Sequence, residues 1–303
     1  MKKGVPFPLN YPLKKSNLKT LKGIQNKEKS LEGSMKGIKI LLAEDNRVNQ
    51  LFASELISEW GAELDIADNG RIAIELYQKN HYDIILMDIQ MPVLDGIDAT
   101  QFIRNQFSDD KKNIPIIAIT ANAKNGDELK FKELGMNEAI FKPYSSIQLF
   151  KLIKKYLHPN KVVQPRKSIE VKNEINPEEH LLLKHASLHV LKSFSRGKES
   201  FIVKMLDAII DTVPPTIKEL NNAIQNRDWI SVNKFSHKLI PNMNMSGNSY
   251  LESEMKWIEN HATLADNQQE ILKKWPAIKL EVEKTMNELK KADTYYKSRT
   301  FGK

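Results

Sequence analysis

Between residues 38 and 156, five short apolar runs alternate with amphipathic stretches, and no other feature constrains the fold of this chain as much. The runs lie at 38–43, 62–67, 83–88, 115–120 and 139–141. Each is short enough for a buried strand, and the intervening stretches at 47–60, 70–79, 97–107, 127–134 and 146–157 carry apolar residues at helical spacing. Gly61 and Gly135 are natural helix stops. Repeated strand-helix units of this size predict an α/β doubly wound domain built on a five-stranded parallel sheet.

The rest of the chain reads differently. At 303 residues it is long enough for two domains. Residues 158–184 bring Pro159, Pro165 and Pro177 among charges and are expected to form a linker. A flexible linker of that length has a reach of roughly 30 Å, enough for two domains to meet. Beyond it no strand pattern appears. Helices are expected at 201–213 and 217–224, separated by Pro214 and Pro215, then from near Trp229, from near Tyr250, and over 271–289. An all-α four-helix bundle at 185–292 is the economical fold, with 293–303 left as a C-terminal tail.

Charge and composition exclude several classes. The chain has no cysteine, which removes disulfides, thiol nucleophiles and cysteine-metal sites. No apolar run approaches the roughly 20 residues of a membrane span. There is no secretory signal pattern at the N-terminus, so the cytoplasm is the expected compartment. The net charge of +8 is unevenly spread: +7 over residues 1–36, −4 over 37–157 and +5 over 158–303. The basic excess thus sits mainly in the first 36 residues, read as a flexible lead-in, and no recognisable nucleic-acid reader accompanies it.

In a parallel sheet, chemistry collects at the carboxyl ends of the strands. Glu44 and Asp45 follow the first run, Asp88 ends the third, Thr120 ends the fourth and Lys142 follows the fifth. Taken singly, acids after strands are turn formers and helix caps, as Asp45 or Asn46 would be for the next helix. Taken together, three carboxylates, a hydroxyl and an ammonium would converge. Clustered carboxylates repel unless a cation neutralises them, and a hard divalent ion such as Mg²⁺ suits oxygen ligands. Phosphoryl transfer needs mainly alignment and charge neutralisation, which Mg²⁺, Lys142 and Thr120 would supply to a phosphate on Asp88.

The strings ILLAEDN at 40–46, ILMDIQMPVLDG at 85–96, IIAITANA at 116–123 and FKP at 141–143 make residues 37–157 resemble a response-regulator receiver domain, whose fold is flavodoxin-like. The resemblance implies that Asp88 accepts the phosphoryl group. It also implies that Glu44, Asp45, Asp88 and the main chain of Gln90 hold Mg²⁺, that Thr120 and Lys142 bind the phosphate, and that the Lys142–Pro143 peptide is cis. One position departs from the pattern. Where receivers often place a Tyr or Phe three residues before the lysine, this chain has Ala139, which weakens the usual threonine-aromatic coupling.

Of seven histidines, His81, His158 and His180 are in or near loops, and His185, His189 and His261 are on amphipathic stretches. His237 lies roughly 155° from the stripe formed by Val232, Phe235, Leu239 and Met243, and is expected to face solvent. FSHKLIPNMNMSGN at 235–248, with the helices before it, resembles a histidine phosphotransfer (HPt) domain, which would make His237 a phosphohistidine. The family's Lys and Gly three and four residues later are Ile240 and Pro241 here, leaving Lys234 or Lys238 to stand in for the ammonium. Pro241 would kink the helix.

The two resemblances together imply a phosphorelay intermediate, like the C-terminal part of a hybrid sensor histidine kinase. Asp88 would take phosphate from a sensor histidine kinase, and His237 would pass it between receiver aspartates. A downstream receiver is then an expected partner. No ATP-binding kinase sequence is present. The alternative is a phosphorylation-regulated interaction module whose helical domain binds a partner without phosphotransfer, a reading that Ile240 and Pro241 favour.

Overall fold

The computed structural model describes residues 33–120, 127–142, 144–157, 183–195, 197–264 and 267–302. Most of the expected lead-in and linker, and Pro143 with its peptide bond, lie outside them.

The N-terminal region is the predicted parallel sheet: β1 (Lys39–Ala43), β2 (Glu63–Ala67), β3 (Ile84–Asp88), β4 (Ile116–Thr120) and β5 (Glu138–Phe141), in the order β2-β1-β3-β4-β5. All neighbouring pairs are parallel. Every residue of β3 and β4 is buried, as expected for strands covered on both faces. On one face Ile40, Leu42, Ile84, Leu86, Ile117 and Ile119 pack under α1 (Arg47–Glu59) and α5 (Ser146–Tyr156). On the other, Leu41, Ile85, Met87 and Ile116 meet α2 (Gly70–Lys79), α3 (Gly96–Gln106) and α4 (Asp127–Glu133).

Side chains start these helices where the sequence turns polar. Asn46 accepts from the amides of Val48 and Asn49 at the head of α1, Asp95 caps α3, and Ser145 with Gln148 forms a capping box on α5. Gly96 has a steric reason: a Cβ there would fall 2.1 Å from the carbonyl oxygen of Asp88. The domain also begins earlier than expected. Ser34 and Met35 are buried, and the Met35 amide donates to the Trp60 carbonyl at 2.8 Å, so residues 33–36 belong to the packed region and not to the lead-in.

The C-terminal region is helical: α6 (His189–Ser195), α7 (Glu199–Gln225), α8 (Trp229–Met245), α9 (Ser249–His261) and α10 (Gln268–Phe301). The four longer helices pack as neighbours, α7 beside α8 and α10, and α9 beside α8 and α10, around one apolar core. Two expectations are corrected here. Pro214 and Pro215 do not divide the chain, because α7 is one helix of 27 residues whose buried face continues from Ile209 through Val213 to Ile217 and Leu220. Of the expected tail at 293–303, residues 293–301 belong to α10, which continues to Phe301 with Tyr296 buried and Lys297 paired to Asp207 at 2.6 Å.

The two regions meet along α1. Val48 is fully buried in the apolar core of the helical region, with Leu51 packed beside it. The Phe52 ring meets Phe194 edge-on at a centroid distance of 4.7 Å. No helix among the described residues is long and apolar enough to cross a membrane.

Candidate functional site

Because β1 and β3 are adjacent and parallel, the residues that leave them emerge side by side. Glu44, Asp45 and Asp88 each offer a carboxylate oxygen, and these atoms all lie within 4.8 Å of one another. Lys142, which follows β5, reaches across the sheet end to Glu44 Oε2 at 2.7 Å and Asp88 Oδ2 at 2.6 Å. Thr120 is buried at the end of β4, and its carbonyl accepts from the Lys142 amide at 2.7 Å. The Gln90 amide donates to Asp88 Oδ1 at 3.2 Å. In the same loop Val93 holds a φ of 70°, a strained conformation for a β-branched residue.

Burial dominates the electrostatics. It pushes the Glu44 carboxyl up to about 7; the nearby Asp88 charge adds to this and Lys142 opposes it. Asp45 is also raised, by burial and by Glu44, against the pull of Lys238, Lys142 and His237. Lys142 loses hydration on burial, yet the Asp88 and Glu44 charges outweigh that loss and hold it protonated. Three crowded oxygen ligands of this kind fit a hard divalent cation. Ala139 packs half-buried against the α2/α3 face of the sheet, so no ring occupies that position.

Two neighbours were not singled out in the sequence. Asn49 Nδ2 donates to Glu44 Oε1 at 3.0 Å, and Gln50 Nε2 donates both to the Glu44 carbonyl at 2.6 Å and to Asp68 Oδ1 at 2.8 Å. Both project from the first turn of α1, one and two residues after Val48, so their nearness to the strand end follows from the βα turn.

The expectation that His237 faces solvent is corrected. Its side chain is only 17% exposed, and its Nδ1 lies 2.7 Å from Oε1 of the buried Glu259 on α9. The His237 ring is turned to α9, where Glu259 holds it. Burial alone would lower the imidazole pKa, while the hydrogen bond to Glu259, its charge and that of Asp88 raise it to a net upward shift. His237 therefore lies within the electrostatic reach of the carboxylate cluster. Lys238 is half-buried and acts on Asp45, whereas Lys234 is exposed. Ile240 is a core residue of the helical region.

Three comparisons bear on this site. A family model described as response regulator receiver domain matches residues 40–154. Hybrid signal transduction histidine kinase I of Dictyostelium discoideum is 39% identical over 132 residues, which cover 41% of this chain but 8% of that kinase. The polar-differentiation response regulator DivK of Brucella anthropi is 36% identical over 118 residues, 39% of this chain and 94% of DivK. Among solved structures, the receiver domain of a sensor histidine kinase from Pseudomonas aeruginosa PAO1, described with a magnesium ion coordinated in its active site cleft, is 38% identical over 40% of this chain and 97% of that one, with a TM-score of 0.37. The strand order, the acids at the strand ends and the near-complete coverage of DivK agree: through residues 40–154 the chain belongs to the response regulator receiver domain family.

Proposed function

We propose that the chain is a two-component phosphorelay intermediate, a receiver at 37–157 joined through 158–184 to a histidine phosphotransfer bundle. Asp88 accepts a phosphoryl group from the phosphohistidine of a sensor kinase, and His237 carries it onward to a downstream receiver. The observation that carries the reading is His237 itself, held through Nδ1 by Glu259 and lying in the field of the Asp88 pocket.

In the first step an Asp88 oxygen attacks phosphorus and the N–P bond breaks, its electron pair returning to the donor imidazole. Glu44, Asp45, Asp88 and the Gln90 main chain are the proposed Mg²⁺ ligands, and the crowding of three carboxylates within 4.8 Å fits that role. Bound there, the cation would neutralise charge on the phosphoryl oxygens. Lys142 and Thr120 bind the same oxygens, Lys142 by exchanging its contact with the free carboxylate for one with the phosphoryl group. In the second step the Nε2 lone pair of His237 attacks phosphorus, the acyl P–O bond breaks, and the Asp88 carboxylate is restored. The ring becomes cationic while its Nδ1–H stays on Glu259, so no proton has to leave.

The test is labelling by acetyl [³²P]phosphate followed by peptide mapping. Wild type is expected to carry label on Asp88 and on His237, D88N on neither, and H237Q on Asp88 alone. Label that stays on Asp88 in wild type, together with an H237Q protein that signals normally, would sink the relay and favour the interaction-module reading.

A further inference from the structure

The contact between the two regions is built from residues outside the carboxylate cluster, and three independent features of it converge. The first is Asn46. Its Oδ1 caps α1 through Val48 and Asn49, which leaves Nδ2 to donate to the Lys238 carbonyl at 2.9 Å. Lys238 directly follows His237, and Asn46 lies two residues after Glu44, so one side chain links the backbones that carry the two sites. The Lys238 carbonyl also accepts from Asn242 Nδ2 at 3.0 Å.

The second feature is apolar. Val48 and Leu51 enter the core of the helical region, and Phe52 bridges Tyr144, two residues after Lys142, to Phe194 at centroid distances of 5.9 and 4.7 Å. The third is ionic. Lys198, just before α7, places Nζ 2.7 Å from Glu55 Oε1 and 3.0 Å from Glu59 Oε1 on the next two turns of α1. These carboxylates lie on the opposite end of α1 from Asn46, so the two polar contacts fix the helix at both ends. That is a register, and a register distinguishes one partner from another.

We infer that Lys198, through Glu55 and Glu59 on α1, is a specificity-determining residue that reserves His237 for the Asp88 of the same chain. The inference rests on the relay reading for its function, but the docking itself does not. The Lys198 contacts are partly exposed and weakened by salt, so they select a partner without locking it.

Two experiments separate docking from relay. The chain has no cysteine, so E55C/K198C carries the only thiols. A short bis-maleimide is expected to join them within one chain, with a yield independent of protein concentration. Bands of cross-linked dimer, or no cross-link, would overturn the docking whatever happens to phosphate. In the second experiment acetyl phosphate labels wild type or an equimolar mixture of D88N and H237Q chains. His237 labelling in wild type is expected to be independent of dilution, and at micromolar protein about tenfold or more faster than in the mixture. K198E should lose most of this advantage and E55K/E59K/K198E should regain it. Equal rates in wild type and mixture, or a K198E protein that keeps the full advantage, would overturn the assignment. A cross-link without any His237 label would instead sink the relay while leaving the docked pair standing.

Discussion

Glu259 lies 22 positions beyond His237, and the two are nearly equidistant from the turn at Gly247 and Asn248 that joins α8 to α9. Antiparallel helices about such a turn must bring these positions together, so the pair was legible in principle from the hairpin. It escaped because a helical wheel considers one helix at a time. The consequence for pH is definite. With Nδ1 bonded to Glu259 and the pKa raised, the imidazolium has no lone pair on Nε2, and phosphoryl acceptance should rise as pH climbs through the raised pKa. E259Q is expected to move the midpoint of that profile to lower pH, and to lower its plateau by about tenfold because the ring is no longer oriented. Stability carries the complementary signature. A histidine pKa above its free value contributes stability fully below pH about 6.5 and loses it as pH rises through the folded value, so the melting difference between wild type and E259Q should shrink from pH 6 to pH 9. The residues of the Asp88 cluster were readable because parallel-sheet topology dictates where they emerge. Asn49 and Gln50 were not, since a polar residue in the first turn of a helix is ordinary.

At the level of elements, strands were the more faithful signal. Runs such as IILMD and IIAIT have one use in a soluble domain, the centre of a covered sheet, and both lie there. One proline pair misled. A local rule places a break at Pro214 and Pro215, yet α7 runs through both, while the helix expected over 271–289 does continue through Pro276 in α10. In α7 the buried stripe is continuous on both sides of the pair, and Thr212 and Thr216 return hydroxyl bonds to the carbonyls of Ala208 and Thr212. Packing along the whole length outweighs the local defect. The end of α10 teaches the same lesson, since its polar sequence hides a buried Ala292 and Tyr296. Tyr296→Ala is expected to lower the stability of the helical region by about 3 kcal/mol in urea melts, the usual cost of an aromatic removed from a core. A change below about 0.5 kcal/mol would return this segment to the status of a tail.

For the whole molecule, the division into an α/β half and a helical half was plain, but their contact was not. An amphipathic α1 is needed by the sheet alone. The hint was its surplus: beyond Phe52, Ala53, Leu56 and Ile57, which serve the sheet, α1 also buries Val48. Val48 takes no part in the receiver's own two cores, so V48D should act on the contact between halves. In differential scanning calorimetry wild type is expected to melt in one transition, and V48D in two separated by several degrees. A single unchanged transition in V48D would mean that the halves do not stabilise one another.

Asn46 holds the head of α1 with its side-chain oxygen, a contact within the receiver, while its side-chain nitrogen bonds across to the Lys238 carbonyl of the helical region. The two amide protons of this one side chain thus form a built-in spectroscopic probe. In a ¹⁵N-edited NMR spectrum the proton that bonds the Lys238 carbonyl should move downfield and exchange more slowly with solvent on closure, and so report the position of the equilibrium without a dye or any catalytic turnover.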